Sequence, residues 1–93
     1  MKSENGSETE SPFVFPCAFP IKVMGQHDDE FEDFVVGLIA EHVGELPTGS
    51  VRSRGSKNGR YLAVTVTVIA ESRAQLDNIY RSLTASKRVL FVL

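Results

Sequence analysis

The segment from Arg60 to Ala70 limits the fold more than any other part of the chain. Its apolar residues alternate with a second set of residues, and β-branched side chains, which favour extended backbone, dominate. One set is Leu62, Val64, Val66 and Val68, and the other is Tyr61, Ala63, Thr65, Thr67 and Ile69. Because a period of two places alternate side chains on opposite faces of a sheet, the sequence predicts a long strand with one buried face.

A tight hairpin is predicted just before this strand. The sequence Lys57-Asn58-Gly59 contains an Asn-Gly pair, and such pairs readily adopt the positive φ angles that tight hairpins require. A further strand is therefore expected from Val51 to Ser56, antiparallel to the long one.

Two more strands are predicted near the ends of the chain. Between Phe19 and Met24 the apolar residues again recur at every second position, which places Phe19, Ile21 and Val23 on one side, and Gly25 ends the strand. The last strand is predicted from Val89 to Leu93.

The first of two predicted helices follows Gly25. Asp28 or Asp29 is expected to be its N-cap, and acidic residues here complement the positive end of the helix dipole. Gly44 and Pro47 end the helix. Its apolar stripe is Phe31, Phe34, Val35, Leu38, Ile39 and Val43.

The second helix is predicted by a capping box. Ser72 and Gln75 have the spacing at which each side chain can bond a free backbone N–H at the start of a helix. The buried stripe of this helix is Leu76, Ile79, Tyr80 and Leu83.

The order β-α-β-β-α-β predicts an α+β, ferredoxin-like two-layer sandwich. Right-handed crossovers place both helices on one face of a four-stranded antiparallel sheet, so the other face has no helix. That open face is expected to carry Lys22, Met24, Tyr61, Ala63, Thr65, Thr67, Ile69, Leu90 and Val92. This set is too apolar to be simply solvated. Two explanations stay open: a homodimer or partner surface, or cover by the Phe13–Phe15 segment.

Composition bounds the domain and its surroundings. Residues 1–11 contain no hydrophobic residue after Met1, so we expect a disordered acidic tail before a single domain over residues 12–93. One cysteine, Cys17, fits a reducing compartment and excludes an internal disulfide framework. No apolar run is long enough to cross a bilayer, and the first residues lack the apolar core of a secretory signal. A cytoplasmic location without membrane contact is therefore expected.

No catalytic group is predicted. The loop from Gly25 to Asp29 has two carboxylates and no arginine, which disfavours the binding of a phosphoryl group. His27 and His42 stand alone, and nothing near Cys17 would lower its pKa. We therefore expect no enzyme activity, no metal site and no cofactor.

A basic stretch offers a surface for a partner. Arg52, Arg54, Lys57 and Arg60 lie between Val51 and Tyr61 with no acidic residue among them, and Tyr61 adjoins them. Nucleic-acid binding through the hairpin 51–60 is thus an alternative function. It ranks behind protein contact, because the net charge is −2 and the first helix with its flanks carries seven acidic residues. These are Asp28, Asp29, Glu30, Glu32, Asp33, Glu41 and Glu45.

Several separated motifs resemble one protein family. The stretch Phe15 to Gly25 reads FPCAFPIKVMG and resembles the Phe-Pro lead-in and the Lys-Val-Met-Gly strand end of the YbeD family of small bacterial proteins. The hairpin Arg54 to Tyr61, the Val-Thr-Val alternation after it and the final Val92-Leu93 are also similar to that family. The resemblance covers about residues 13–93.

The resemblance implies a fold similar to ACT domains, which bind amino acids and often pair through their sheets. It implies no enzymatic activity, and some members of the family are encoded beside genes of lipoate metabolism. ACT domains bind ligands around the loop after the first strand, so Lys22, Gly25, Gln26 and His27 are the candidate ligand-binding residues. The leading hypothesis is a non-catalytic regulatory or interaction domain of the bacterial cytoplasm that binds a protein partner or a small metabolite.

Overall fold

The computed structural model describes residues 14–93 and contains four strands and two helices. The elements in chain order are β1 (Cys17–Gln26), α1 (Phe31–Val43), β2 (Val51–Gly55), β3 (Tyr61–Ala70), α2 (Arg73–Thr84) and β4 (Val89–Val92). The strands form one antiparallel sheet in the order β2-β3-β1-β4. This confirms the predicted βαββαβ fold.

The core lies between the sheet and the two helices. The alternating residues of β1 and β3 supply its sheet side, and the apolar stripes of α1 and α2 supply its helix side. The buried residues are Ile21, Val23, Phe31, Val35, Ile39, Leu62, Val64, Val66, Val68, Ala70, Leu76, Ile79 and Leu83. Nearly all of them belong to the rows and stripes predicted from the sequence.

The first strand is longer than the sequence indicates. It extends from Cys17 to Gln26 because it pairs with β3 along its whole length, from Cys17 opposite Ala70 to Gln26 opposite Tyr61. Pro20 interrupts the local signal for a strand. The long partner strand, whose β-branched residues favour extended backbone, holds β1 in the sheet nevertheless.

The prediction that Val92 lies on the open face is wrong, because β4 contains a bulge. Met24 pairs with Phe91 and Gly25 pairs with Val89, so Leu90 is an extra residue on β4. A bulge shifts the alternation of all residues that follow it. Val92 therefore packs against the core. Phe91 lies on the open face beside Met24 instead.

The predicted N-cap of α1 is also wrong. Glu30 is the N-cap residue, and its side chain makes no capping hydrogen bond. Asp28 lies two residues before this N-cap, and its Oδ1 accepts a hydrogen bond of 2.8 Å from the backbone N–H of Glu30. At the other end, Gly44 adopts a positive φ of 79° and its N–H donates to the carbonyl of Ala40, as expected for the residue that ends the helix.

The N-terminus of α2 has half of the predicted capping box. Ser72 Oγ accepts a hydrogen bond from the backbone N–H of Gln75. The Gln75 side chain accepts from the N–H of Glu71, one residue before the expected Ser72. Its Nε2 also donates to the carbonyl of His42 at 3.1 Å, so the same glutamine joins the start of α2 to the end of α1.

The predicted acidic tail, residues 1–11, and the first residues of the predicted domain lie outside the described residues. Within residues 14–93, Phe15 packs against the core cluster and Val14 is exposed.

Gly25 makes the closest backbone approach in the core. A Cβ at this position would lie less than 3.0 Å from both the ring of Phe31 and the backbone oxygen of Arg88. The absence of a side chain at Gly25 therefore lets the first residue of α1 pack directly on β1.

Replacing Gly25 with alanine is expected to destabilise the fold by about 1–3 kcal/mol, because the ring and the backbone oxygen must both move to admit the methyl group. Urea unfolding measures this. Gly37→Ala is the matched control: nothing lies within 4 Å of the new methyl group, and Gly37 is in the interior of α1. That variant should gain about 0.5–1 kcal/mol from helix propensity. Equal stabilities for the two variants would contradict the packing argument.

Candidate functional site

The open face of the sheet contains a groove that follows β3. Thr65 pairs with Arg52 of β2 on one side and with Lys22 of β1 on the other, and Ala63 in the same way pairs with Arg54 and Met24. The long side chains of the outer strands are the walls, and the small side chains of β3 are the floor. The depression has a volume of about 350 Å³ and is lined by Lys22, Arg52, Ser53, Arg54, Ala63 and Thr65. We call it the cationic groove.

The three cations of the cationic groove are exposed and make no ion pair with any residue of the described range. Ser53, next to Arg52 and Arg54 along β2, donates a hydrogen bond to the carboxylate of Glu32. Because Ser53 pairs with the buried Val64, its side chain lies on the helix side of the sheet, so Ser53 can border the groove only through its backbone. The positive charge of the groove is therefore not neutralised by the adjacent helix.

Apolar side chains adjoin the cationic groove. The backbones of Leu93 and Lys22 exchange two hydrogen bonds, of 2.8 and 3.2 Å, and Phe91 pairs with Met24. The side chains of Leu93 and Phe91 are 67% and 46% exposed, and Ile69 at the far end of β3 is 49% exposed. The face thus combines unpaired positive charge with exposed apolar surface.

The hairpin places the remaining predicted partner residues at one end of this face. Gly59 has a positive φ of 75°, and Asn58 Oδ1 accepts from the backbone N–H of Arg60. Lys57 and Arg60 lie in the turn itself, and Tyr61 begins β3 opposite Gln26. Arg52, Arg54 and Tyr61 therefore share the open face, whereas Lys57 and Arg60 lie beyond its end.

The four predicted ligand residues are distributed over three environments. Lys22 is in a wall of the cationic groove, and Gly25 lies beneath the ring of Phe31. Gln26 lines a second depression. His27 is joined to the hairpin: its backbone N–H donates to the carbonyl of Arg60, and its Nδ1 lies 3.3 Å from the carbonyl oxygen of Gly59.

The second depression, of about 210 Å³, lies where the loop after β1 meets the loop before β4. Nη2 of Arg88 donates to both carboxylate oxygens of Asp28 at 3.0 Å, and the guanidinium carbon lies 4.7 Å from the ring centre of Phe34. The hydrogen bond from the backbone N–H of Glu30, together with the Arg88 guanidinium, lowers the pKa of Asp28 below its ordinary value of 3.8.

Sequence reasoning missed two features of these surfaces. The sequence does not indicate that Phe91 and Leu93 lie on the open face, because the bulge at Leu90 is set by pairing with β1 and has no local signal. Nor does it indicate the contact of Arg88 with Asp28, because the two residues are 60 positions apart. In the sequence, the contact between Asp28 and Arg88 is indicated only by the basic pair Lys87-Arg88 before the last strand.

Residues 14–93 contain no group of three or more His, Cys, Asp or Glu side chains placed to hold a metal ion. Cys17 is a half-buried free thiol at the start of β1. His42 Nε2 lies 2.9 Å from Ser82 Oγ, which links the two helices. Neither helix in the described part is long and apolar enough to cross a membrane.

Solved structures with the same arrangement define the class of protein. The solution structure of protein HP0495 from H. pylori matches with a TM-score of 0.72 at 14% identity, over 90% of this chain and 88% of that one. The ACT domain from GTP pyrophosphokinase of Chlorobium tepidum matches with a TM-score of 0.62, also at 14% identity, over 82% and 81% of the two chains. The protein is therefore a small α+β domain with an ACT-like fold.

The chain belongs to the family described as "Protein of unknown function (DUF493)", whose model matches residues 10–93. A UPF0250 protein from Paraburkholderia phytofirmans is 46% identical over 94% of this chain and 98% of its own length. A second, from Chromobacterium violaceum, is 46% identical over 92% and 97%. These matches confirm the bacterial family that the Phe-Pro and Lys-Val-Met-Gly motifs indicate.

The contact between Asp28 and Arg88 predicts a pH dependence of stability. Because the folded-state pKa of Asp28 lies below 3.8, its carboxylate contributes stability that is present above the unfolded-state pKa and is lost as the pH falls through the folded-state pKa. The free energy of unfolding should therefore fall between neutral pH and pH values below 3.8. In Asp28→Asn this fall should be smaller than in the unaltered protein, as measured by urea unfolding.

Asp29→Asn is the control, because it removes a neighbouring exposed carboxylate that makes no hydrogen bond within the described chain. It should leave the acid dependence close to that of the unaltered protein. An identical dependence in all three proteins would show that the Asp28 contacts do not stabilise the fold.

Proposed function

We propose that this protein is a non-catalytic regulatory or interaction domain that binds its partner through the open face of the sheet. The observation that carries the proposal is the cationic groove: Lys22, Arg52 and Arg54 converge there without an ion pair in the described range, next to exposed apolar residues. Exposed apolar residues bordered by charged side chains are typical of a contact surface.

No reactive groups converge in the described part of the chain, which supports a binding role over catalysis. In residues 14–93 Asp28 is paired with Arg88 and Arg73 with Asp77, so these charged side chains are held in structural contacts. A catalytic site needs a nucleophile, or a general acid or base, within reach of a substrate pocket. The bacterial cytoplasm is the proposed location, because a single free cysteine fits a reducing compartment.

A small metabolite is the other proposed ligand class, with Lys22, Gly25, Gln26 and His27 as its site. The geometry favours the sheet face, because Lys22 belongs to the cationic groove while Gly25 is covered by Phe31. A thermal-shift screen with amino acids and lipoate-pathway metabolites separates the two sites: a ligand of the loop should stabilise the unaltered protein and lose its effect in His27→Ala.

Nucleic-acid binding through the hairpin 51–60 is the second candidate function. It is favoured by the placement of Arg52 and Arg54 on one face with the aromatic Tyr61. Only three cations reach the groove, however, whereas α1 and its flanks form an acidic layer behind the sheet. A protein partner therefore fits the charge distribution better.

Affinity capture with mass spectrometry, from lysate of Chromobacterium violaceum, tests the proposed contact. The unaltered protein is expected to retain a specific partner, and Phe91→Asp should lose it, because a carboxylate replaces an exposed apolar side chain beside Met24 on the open face. Leu90→Asp is the matched control: it is the next residue on the same strand and has similar exposure, 52% against 46%, but lines the second depression.

The outcome for Leu90→Asp decides what a loss of binding means. Retention of the partner by this variant, with loss by Phe91→Asp, supports the open face. Retention by both variants, with melting temperatures close to that of the unaltered protein, would place the contact elsewhere and contradict the proposal.

A further inference from the structure

We infer that the cationic groove binds an extended acidic segment of a protein partner, with carboxylates at every second residue. The inference rests on the proposed function and adds the chemistry of the partner to it.

The width of the groove fits one extended chain. β1 and β2 are the two neighbours of β3, and adjacent strands lie about 4.8 Å apart, so the two walls are separated by about 10 Å. The floor between them consists of Ala63 and Thr65, whose short side chains leave space above β3. A single extended polypeptide can therefore lie over β3 between Lys22 and the two arginines.

The spacing along the groove fits alternate residues of such a chain. Arg52 and Arg54 are two residues apart on β2 and point to the same face, at a separation of about 6.6–6.8 Å along the strand. An extended peptide repeats its own side chains on one side with the same period. Glutamate or aspartate at two alternate positions can thus meet both arginines in register.

The chemistry of the walls selects carboxylates. A guanidinium presents a planar pair of N–H donors that matches a carboxylate in a bidentate arrangement, and the Lys22 ammonium adds a third positive charge on the opposite wall. Within the described range these three cations have no carboxylate partner, although the protein as a whole is acidic, with a net charge of −2. The partner must supply the negative charge.

A second copy of this chain does not supply the carboxylates that the cations of the groove would bind. In residues 14–93 the open face contains no aspartate or glutamate: its positions on β1 and β3 are Ala18, Pro20, Lys22, Met24, Gln26, Tyr61, Ala63, Thr65, Thr67 and Ile69. A two-fold dimer brings the same patch of both copies together, so the cations of each copy would face a surface without a carboxylate. Contact with the acidic α1 of another copy would instead be head-to-tail and would build a ring or a filament, not a two-fold dimer.

The binding test uses a labelled peptide of about ten residues with alternating glutamate and threonine, a length that extends beyond both arginines. Fluorescence anisotropy should show binding at low salt that weakens as salt rises. Replacing both arginines, Arg52→Gln with Arg54→Gln, should weaken binding by about tenfold, the effect of two exposed ion pairs.

Two controls make the test specific. Lys57→Gln removes a cation from the same hairpin but outside the groove, and it should change the affinity by less than about twofold. A peptide of the same composition with its glutamates in one block loses the alternate spacing and should bind more weakly than the alternating one. Equal binding of the two peptides, or equal losses in the Lys57 and arginine variants, would overturn the inference.

Three further outcomes would also overturn it. The first is a labelled single-stranded oligouridine that binds more tightly than the peptide and depends on Arg52 and Arg54, which would assign the groove to nucleic acid. The second is peptide binding that occurs only after Glu4, Glu8 and Glu10 are replaced by glutamine, which would make the chain's own acidic segment the occupant. The third is no peptide binding at all. If Phe91→Asp still abolishes partner capture in that case, the proposed function stands and this inference alone fails.

Discussion

The pairing of β1 with β3 is the interaction on which the rest of the structure depends. These are the two central strands of the sheet, and they pair over ten residues, from Cys17 with Ala70 to Gln26 with Tyr61. This one register decides which side chains enter the core and which reach the open face, since a shift by one residue would exchange the two sets. The burial of Val23 opposite Val64 and the exposure of Lys22 opposite Thr65 are thus two results of the same constraint.

The sequence predicts the fold well because the signals are local. The alternation in β3, the Asn-Gly turn and the apolar stripes of the helices each specify one element within about a dozen neighbouring residues. The site is different, because the cationic groove needs the register of three strands at once. The sequence identifies its three cations but predicts two separate sites for them, with Lys22 among the ligand residues and the arginines among the partner residues. The bulge at Leu90 cannot be predicted from neighbouring residues in the sequence, because it arises from the pairing of β4 with β1.

The sheet also separates charge. Carboxylates are concentrated on α1 and its flanks, on one side of the sheet, and the groove cations lie on the other side. An acidic partner is attracted to one face and repelled from the other, which orients the encounter before contact is made. The hydrogen bond between Ser53 and Glu32 holds one of these carboxylates on the helix side and away from the groove.

The two depressions show why charge alone does not identify a binding surface. Arg88 is exposed and basic, as the groove arginines are, but both carboxylate oxygens of Asp28 accept from it and its guanidinium stacks on Phe34. An external anion would have to displace those contacts before it could bind there. Arg52 and Arg54 have no such partner in the described range, so an incoming carboxylate replaces only water around them. The difference between a structural cation and a binding cation in this domain is therefore the presence of an internal acceptor, and Arg88 has one because the loop after β1 places Asp28 opposite it.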